Sequence, residues 1–189
     1  MSEPALHSIN DIVSEAHRLA SDVESAFGSL NRDQLNWKPN AQSWSIGQCI
    51  DHLITTNSKF YPQIDELVAG GRRHSLWQSF PIIPGLLGKL MINMIKPDST
   101  RKIKVPPGFE PTSSRLEVDI ISRFISHQAE FIGRIESTSD LKPENTIIYS
   151  PISRLITYSL LDAYRIAVLH ERRHFIQAQR VRGLPGFPG

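Results

Sequence analysis

Near its C-terminus the chain reads His170-Glu171-Arg172-Arg173-His174, two histidines four residues apart with a glutamate behind the first. On a helix that spacing sets the two imidazoles about 40° apart on one face, the usual way one helix offers two ligands to one divalent metal. The face they share also carries Ile156, Ala163, Ala167 and Gln177, so it should point inward. The alternative for such a pair is two core histidines bonded to backbone or water. Read as a zinc-protease signature, the motif fails on its third ligand. The extended form needs a glycine and a histidine where the chain has Gln177 and Arg180, and residues 175–189 contain no Asp, Glu or His. A third ligand must come from upstream.

His52 is the best upstream candidate, since it sits beside the apolar stripe of the second predicted helix, close in bearing to Cys49 and Thr56. His7 is near the terminus and His74 is in a loop, while His17 and His127 fall off the buried faces of their helices, where solvation is expected. Three neutral imidazoles leave a divalent ion its full charge and an open coordination position, the pattern of catalytic zinc. Such an ion lowers the pKa of bound water to about 7, or ionises a thiol. Around this triad, Glu171 is the nearest candidate base, against a surface carboxylate paired with an arginine. Gln177 is a candidate donor to the ligands, against a polar helix-end residue. Arg173 could attract an anionic substrate or the carboxylates of a thiol cofactor, against simple exposure. Cys49 is expected to be a buried, inert thiol. Trp37 and Trp44 should pack at the end of the fold, where they could wall a pocket.

The elements that must position these residues are helices. Ile12, Ala16, Leu19, Val23 and Phe27 predict a first helix over 8–27. Ser45 and Gln48 form a capping-box pattern that opens a second, with Ile46, Cys49, Ile50, Leu53, Phe60, Ile64 and Leu67 as its buried stripe, a break at Pro62 and a stop at Gly70-Gly71. Ser114 and Glu117 suggest the start of a third, with Leu116, Ile120, Phe124, Phe131 and Ile135 buried. The fourth is predicted over 154–181. No strand pattern stands out. The intervening segment 70–113 is rich in Pro and Gly yet carries Trp77, Phe80 and an apolar run that could form a short helix over 85–95. It reads as a connection packed over the helices, with a lid or dimer contact as the sharper alternative. His52 lies near the start of the second helix and His174 near the end of the fourth, so they meet only if those helices are antiparallel. An up-down-up-down order forbids this, whereas up-down-down-up allows it and requires a long crossover between helices two and three. The segment 70–113 supplies that length. The expectation is therefore an all-α, up-down-down-up four-helix bundle in a single domain, 1–189.

Composition narrows the function classes. The 189 residues are 40% hydrophobic and 21% charged with a net charge of +2, ordinary for a globular domain and too weakly basic for nucleic acid. The lone Cys49 excludes an intramolecular disulfide and a thiolate-rich zinc knuckle. The start, Met1-Ser2-Glu3-Pro4, has no signal-peptide pattern. The longest apolar stretch, 80–95, is interrupted by Pro81, Pro84, Gly85, Gly88 and Lys89 and is too short to span a bilayer. A cytoplasmic protein with no membrane or nucleic-acid partner is expected.

The pattern Trp37, Pro39, Trp44-Ser45-Ile46, His52-Leu53 and then His170-Glu171-Arg172-Arg173-His174 with Gln177 resembles the DinB/YfiT-like superfamily over most of the chain, and the stretch from Lys102 to Pro107 is similar to its metal-dependent hydrolase-like branch. That resemblance implies an up-down-down-up bundle and a divalent ion, zinc or nickel, on His52, His170 and His174. It also implies frequent homodimers. Activities in the superfamily include thiol-dependent S-transfer, a mycothiol-dependent isomerisation and hydrolase-like reactions. The expected function is a metal-dependent enzyme acting on a small molecule, with transfer of a low-molecular-weight thiol placed ahead of a metal-hydroxide hydrolase. A non-catalytic metal- or small-molecule-binding module is the alternative of another class, and a metal-free structural bundle is the third.

Overall fold

Ser8 opens the first helix by a reciprocal cap, its hydroxyl accepting from the Asp11 N–H while the Asp11 carboxylate accepts from the Ser8 N–H. The computed structural model describes residues 6–70, 82–95 and 105–189, so the expectations resting on His74, Trp77, Phe80 and Lys102 lie outside the described residues. The described chain is mostly helical with one small antiparallel sheet. In order it forms α1 (Ile9–Phe27), α2 (Arg32–Asn36), α3 (Ile46–Ser58), α4 (Tyr61–Val68), α5 (Ile82–Ile95), α6 (Ile120–Ser137), a 3-10 turn (Ser139–Leu141), β1 (Ile147–Ser150), β2 (Ser153–Ser159) and α7 (Leu160–Arg182).

Most element starts follow their local chemistry. Ser45 and Gln48 form the expected capping box on α3. The second predicted helix breaks at Lys59–Phe60, and Pro62 falls in the first turn of α4, where its missing N–H leaves no donor unpaired. Asn31 and Gln34 cap the short α2 inside a segment read as loop. The apolar run expected to be helical over 85–95 is α5, which packs on β2 and α7.

Two boundaries and the all-α expectation are corrected. The third predicted helix starts at Ile120, not Ser114, because the 114–118 stretch is held by other partners. Leu116 donates its N–H to Asn36 Oδ1 at 2.6 Å and accepts from Asn36 Nδ2 at 2.8 Å, while Glu117 pairs with Arg32 instead of closing a capping box. The fourth helix starts at Leu160, not Arg154. Residues 153–159 are rich in β-branched and aromatic side chains, and they pair as β2 with β1, in the register Ile147↔Ser159, Ile148↔Tyr158 and Tyr149↔Thr157. Ser159 then caps α7 by accepting from the Asp162 N–H. Ile156, counted on the histidine face of a helix, is a strand residue.

Two apolar clusters fill the interior. One joins the start of α1 (Ile12, Ala16) to the end of α6 (Phe131, Ile135), to α4 and to the first half of α7 (Leu160 to Leu169). The other joins the end of α1 (Leu19, Val23, Phe27) to the start of α6 (Ile120, Phe124), to α3 (Ile46, Cys49, Ile50, Leu53) and to the last half of α7 (Phe175, Ala178, Val181). Between α1 and α7, contacts advance together along both helices: Arg165 donates to Leu6 O, Arg172 to Glu15 and Arg182 to Ala26 O. Between the α3 region and α7 they advance in opposite senses, Trp44 against His174 and Asn57 against Glu171. No described helix is long and apolar enough to cross a membrane.

Candidate metal centre

Beside Leu53 of α3 and Phe175 of α7, where the second apolar cluster ends, lies the meeting point of three histidines. His170 and His174 enter it from successive turns of α7, and His52 enters it from the facing side of α3. The Nε2 atoms of His52 and His170 are 3.3 Å apart, and those of His170 and His174 are 3.1 Å apart. All three ligand atoms lie within 4.8 Å of one another. His52 and His174 are buried and His170 is half-buried. The structure thus brings together the three histidines singled out from spacing.

The orientation of His52 is fixed from behind. Its Nδ1 lies 2.5 Å from the carbonyl oxygen of Phe109, an oxygen that can only accept, so Nδ1 carries the proton and Nε2 presents its lone pair to the meeting point. Trp44 closes one side, its ring centroid 4.9 Å from that of His52 and 5.6 Å from that of His174, nearly parallel to the latter. Burial lowers the pKa of all three imidazoles. His170 falls to about 3, pushed further by His52 and Arg173. His174 is lowered by burial and then by His170, His52 and Arg173, with Gln177 acting in the opposite direction. His52 is lowered by burial against the Phe109 bond and the Asp51 charge. Three imidazoles that stay neutral at pH 7 are competent ligands.

A model of the DinB superfamily matches residues 15–178 of the chain. The chain belongs to the DinB superfamily. Comparisons with curated proteins and with solved structures return no match.

Within this DinB-superfamily member, donor chemistry and spacing fit a divalent ion. A tetrahedral ion with metal–nitrogen bonds of about 2.0–2.1 Å holds its ligand atoms about 3.3–3.4 Å apart, close to the two measured separations. The three-histidine cluster is therefore compatible with divalent metal binding.

The other expected residues surround it unevenly. Glu171 is no surface carboxylate: it is 0% exposed, and Asn57 Nδ2 donates to Oε1 at 2.5 Å while Gln128 Nε2 donates to Oε2 at 2.9 Å. Burial raises its carboxyl pKa to about 7, opposed by those two donors and Arg172, with Glu15 adding to the rise. Gln177 is half-buried beside His174. Arg173 is half-buried, and burial and Arg180 lower its pKa. Cys49 is fully buried, its thiol pushed up to about 12, as an inert core cysteine should be. Trp37 packs edge-on to Phe187, away from the triad. His17 is exposed as expected, whereas His127, expected in solvent, is buried with both ring nitrogens near the Tyr61 hydroxyl, at 3.1 and 3.2 Å.

Several supporting groups escaped the sequence reading. Phe109 acts through its carbonyl, which leaves no mark in residue type. Asn57 and Gln128 did leave one, since Gln128 interrupts the apolar stripe between Phe124 and Phe131. Glu15 is also polar on a buried face. It accepts from Arg172 Nη2 at 2.5 Å and from Nε at 2.9 Å, and Arg172 Nη1 reaches Asp22 at 2.6 Å.

Proposed function

We propose that this DinB-superfamily protein is a metal-dependent enzyme. In this reading His52, His170 and His174 hold a divalent ion, zinc or nickel, inside an up-down-down-up four-helix bundle formed by α1, α3, α6 and α7. Support for the bundle comes from the helix directions, α7 advancing with α1 and against α3. The observation that carries the metal reading is the convergence of three Nε2 atoms, two of the separations being 3.1 and 3.3 Å, with the His52 Nδ1 proton committed to a carbonyl. When bound, the ion supplies Lewis acidity that ionises a coordinated thiol or water at neutral pH.

The favoured reaction is transfer of a low-molecular-weight thiol to a small electrophile. The thiol loses its proton to solvent, its sulfur forms a bond to the electrophilic carbon, and the leaving group departs with the electrons of the bond it breaks. A thiol brings its own nucleophile, so the chain need only bind, orient and shield it. Trp44 offers a flat apolar wall for that purpose, and the half-buried Arg173 with Arg180 offers positive charge for the carboxylates of such a thiol or of its partner. Hydrolysis of an ester or amide by activated water is the second reading. It is the weaker one, because the neighbouring carboxyl Glu171 has an amide donor on each of its oxygens and is thereby engaged as a structural acceptor.

An electrophile-conjugation assay with several thiols, run on chelated and on zinc- or nickel-loaded protein, tests the proposal. Metal-dependent conjugation that disappears in His174→Ala is expected. Metal-dependent ester or amide cleavage without conjugation would replace the first reading by the second. Equal metal content in wild type and His174→Ala would remove the site itself.

A further inference from the structure

The last part of the 70–113 segment is tied to the residue next to His52. Asp51 is 1% exposed. Its Oδ2 accepts two hydrogen bonds from Thr112, from the backbone N–H at 2.5 Å and from the hydroxyl at 2.8 Å. Three positions before Thr112, Phe109 is buried and its carbonyl meets His52 Nδ1 at 2.5 Å. A turn just before it, in which the Phe109 N–H donates to Pro106 O, and the Lys59 ammonium 5.8 Å over the Phe109 ring hold that residue from two further sides. Consecutive residues of α3 therefore grip the same strap at two points, one through a carboxylate and one through an imidazole.

We propose that Asp51 and Thr112 are positioning residues for the metal centre: their double hydrogen bond clasps the 105–116 strap to α3, so that the Phe109 carbonyl fixes His52 in its Nδ1-protonated tautomer with Nε2 facing the ion. The inference rests on the metal reading above and deepens it. The physical reason is selectivity between tautomers. A neutral imidazole free to rotate offers either nitrogen to the meeting point, and a proton on Nε2 blocks ligation. A carbonyl held at Nδ1 removes that state, and partners of this kind typically alter metal affinity by about 10–100-fold when lost. A neighbouring hydroxyl, Thr56 Oγ1 at 3.4 Å from the same nitrogen, is a longer and weaker partner than the carbonyl.

Two readouts on the full chain test the clasp. In metal-free protein, long-range proton–nitrogen spectra of the histidine rings report the tautomer. Wild type should show His52 protonated on Nδ1 with slow exchange, and Asp51→Ala should show a mixture. Zinc titration against a competing chelator should then give a dissociation constant about 10–100-fold weaker for Asp51→Ala. Thr112→Val keeps the backbone bond and should lose affinity severalfold, with Thr112→Ser restoring it, so the test survives if Asp51→Ala does not fold. Wild-type zinc affinity and an unchanged His52 tautomer in folded Asp51→Ala, or in Thr112→Val, would overturn the clasp and leave the metal reading standing. Failure of wild type itself to bind zinc or nickel would overturn the metal reading, and the clasp's role with it.

Discussion

The side-chain amide of Asn57 donates to Glu171 Oε1 at 2.5 Å across the contact between α3 and α7. The helix pair that offers His52 and His170 to a common point thus also traps a carboxyl beside it. Gln128 of α6 donates to the other oxygen and to the carbonyl of Ala16 on α1. One buried carboxyl is thereby bonded to two helices and linked to a third, and the ligand-bearing turn of α7 cannot shift without breaking those bonds. The cost of burying it explains why its pKa rises to about 7 even with two donors present.

If Glu171 organises these helices, the effects of removing it and Asn57 should not add. Glu171→Leu leaves the Asn57 amide buried without an acceptor and Gln128 with the Ala16 carbonyl alone, and an unsatisfied buried donor costs about 1–3 kcal/mol. In Asn57→Leu/Glu171→Leu the stranded Asn57 amide is gone as well. Denaturant unfolding of metal-free protein should give a coupling energy of about 1–3 kcal/mol for the pair. Additive effects would mean the bond contributes nothing to the fold.

Arg172 makes a different connection, between α7 and α1. It is 5% exposed and Glu15 is 3% exposed, so truncating Arg172 leaves the buried Glu15 carboxylate with only the exposed Arg18 as its ionic partner. Arg172→Ala should destabilise the chain by about 3–5 kcal/mol. Arg172→Met with Glu15→Leu should recover most of that loss, since a buried pair can be exchanged for apolar packing at little cost. The midpoint of urea unfolding measures both.

The site was legible in the chain because its ligands obey helical spacing. His170 and His174 share a face by period alone, and His52 followed from where α3 starts and α7 ends. The long helices were legible for the same reason, as runs of apolar residues at three and four. What the spacing could not show was competition from distant partners. Asn36 satisfies both backbone groups of Leu116, so a local capping signal at Ser114 has nothing left to cap. The 153–159 stretch reads as part of a helix until β1 offers it a ladder. His127 sat off the apolar stripe and was expected in water, but Tyr61 comes from α4 to cover it.

That covered histidine makes a pH prediction. Burial lowers the His127 pKa to about 4, with Glu130 opposing and Arg134 adding to the fall. Above pH 6.5 it is neutral both folded and unfolded and contributes nothing to pH dependence. As pH falls below 6.5 the unfolded chain takes up the proton and the folded chain does not, so stability drops until about pH 4. By pH 5 the loss from this group is about 2 kcal/mol. His127→Gln keeps a hydrogen-bonding partner for Tyr61 and should flatten the decline between pH 7 and 5 by that amount in denaturant titrations of metal-free protein.

Trp44 should report the occupied site. Its ring centroid lies 4.9 Å from that of His52 and 5.6 Å from that of His174, within reach of quenching by an open-shell ion on those rings. Nickel addition should reduce tryptophan fluorescence at one equivalent per chain, and Trp44→Phe should remove the response, whereas Trp37→Phe should keep it. Quenching that survives in Trp44→Phe would place the ion elsewhere.

The depressed imidazoles set the pH range over which the ion is held. A proton competes with a metal for the same lone pair, so three ordinary histidines with pKa values near 6.5 would weaken zinc binding about 70-fold between pH 8 and 6. Here His170 is held at about 3, and His52 and His174 are lowered as well, burial being the largest cause for each. Each ring therefore carries less proton at pH 6 than an ordinary histidine would, and competition at that pH is reduced. Zinc affinity measured against a chelator of known proton dependence should therefore fall by less than about 70-fold over the same interval, and more steeply as the pH drops further toward the lowered values. A 70-fold loss by pH 6 would mean that solvent reaches these rings freely, and that the enclosure by Trp44, Phe109 and α7 does not protect the ligands.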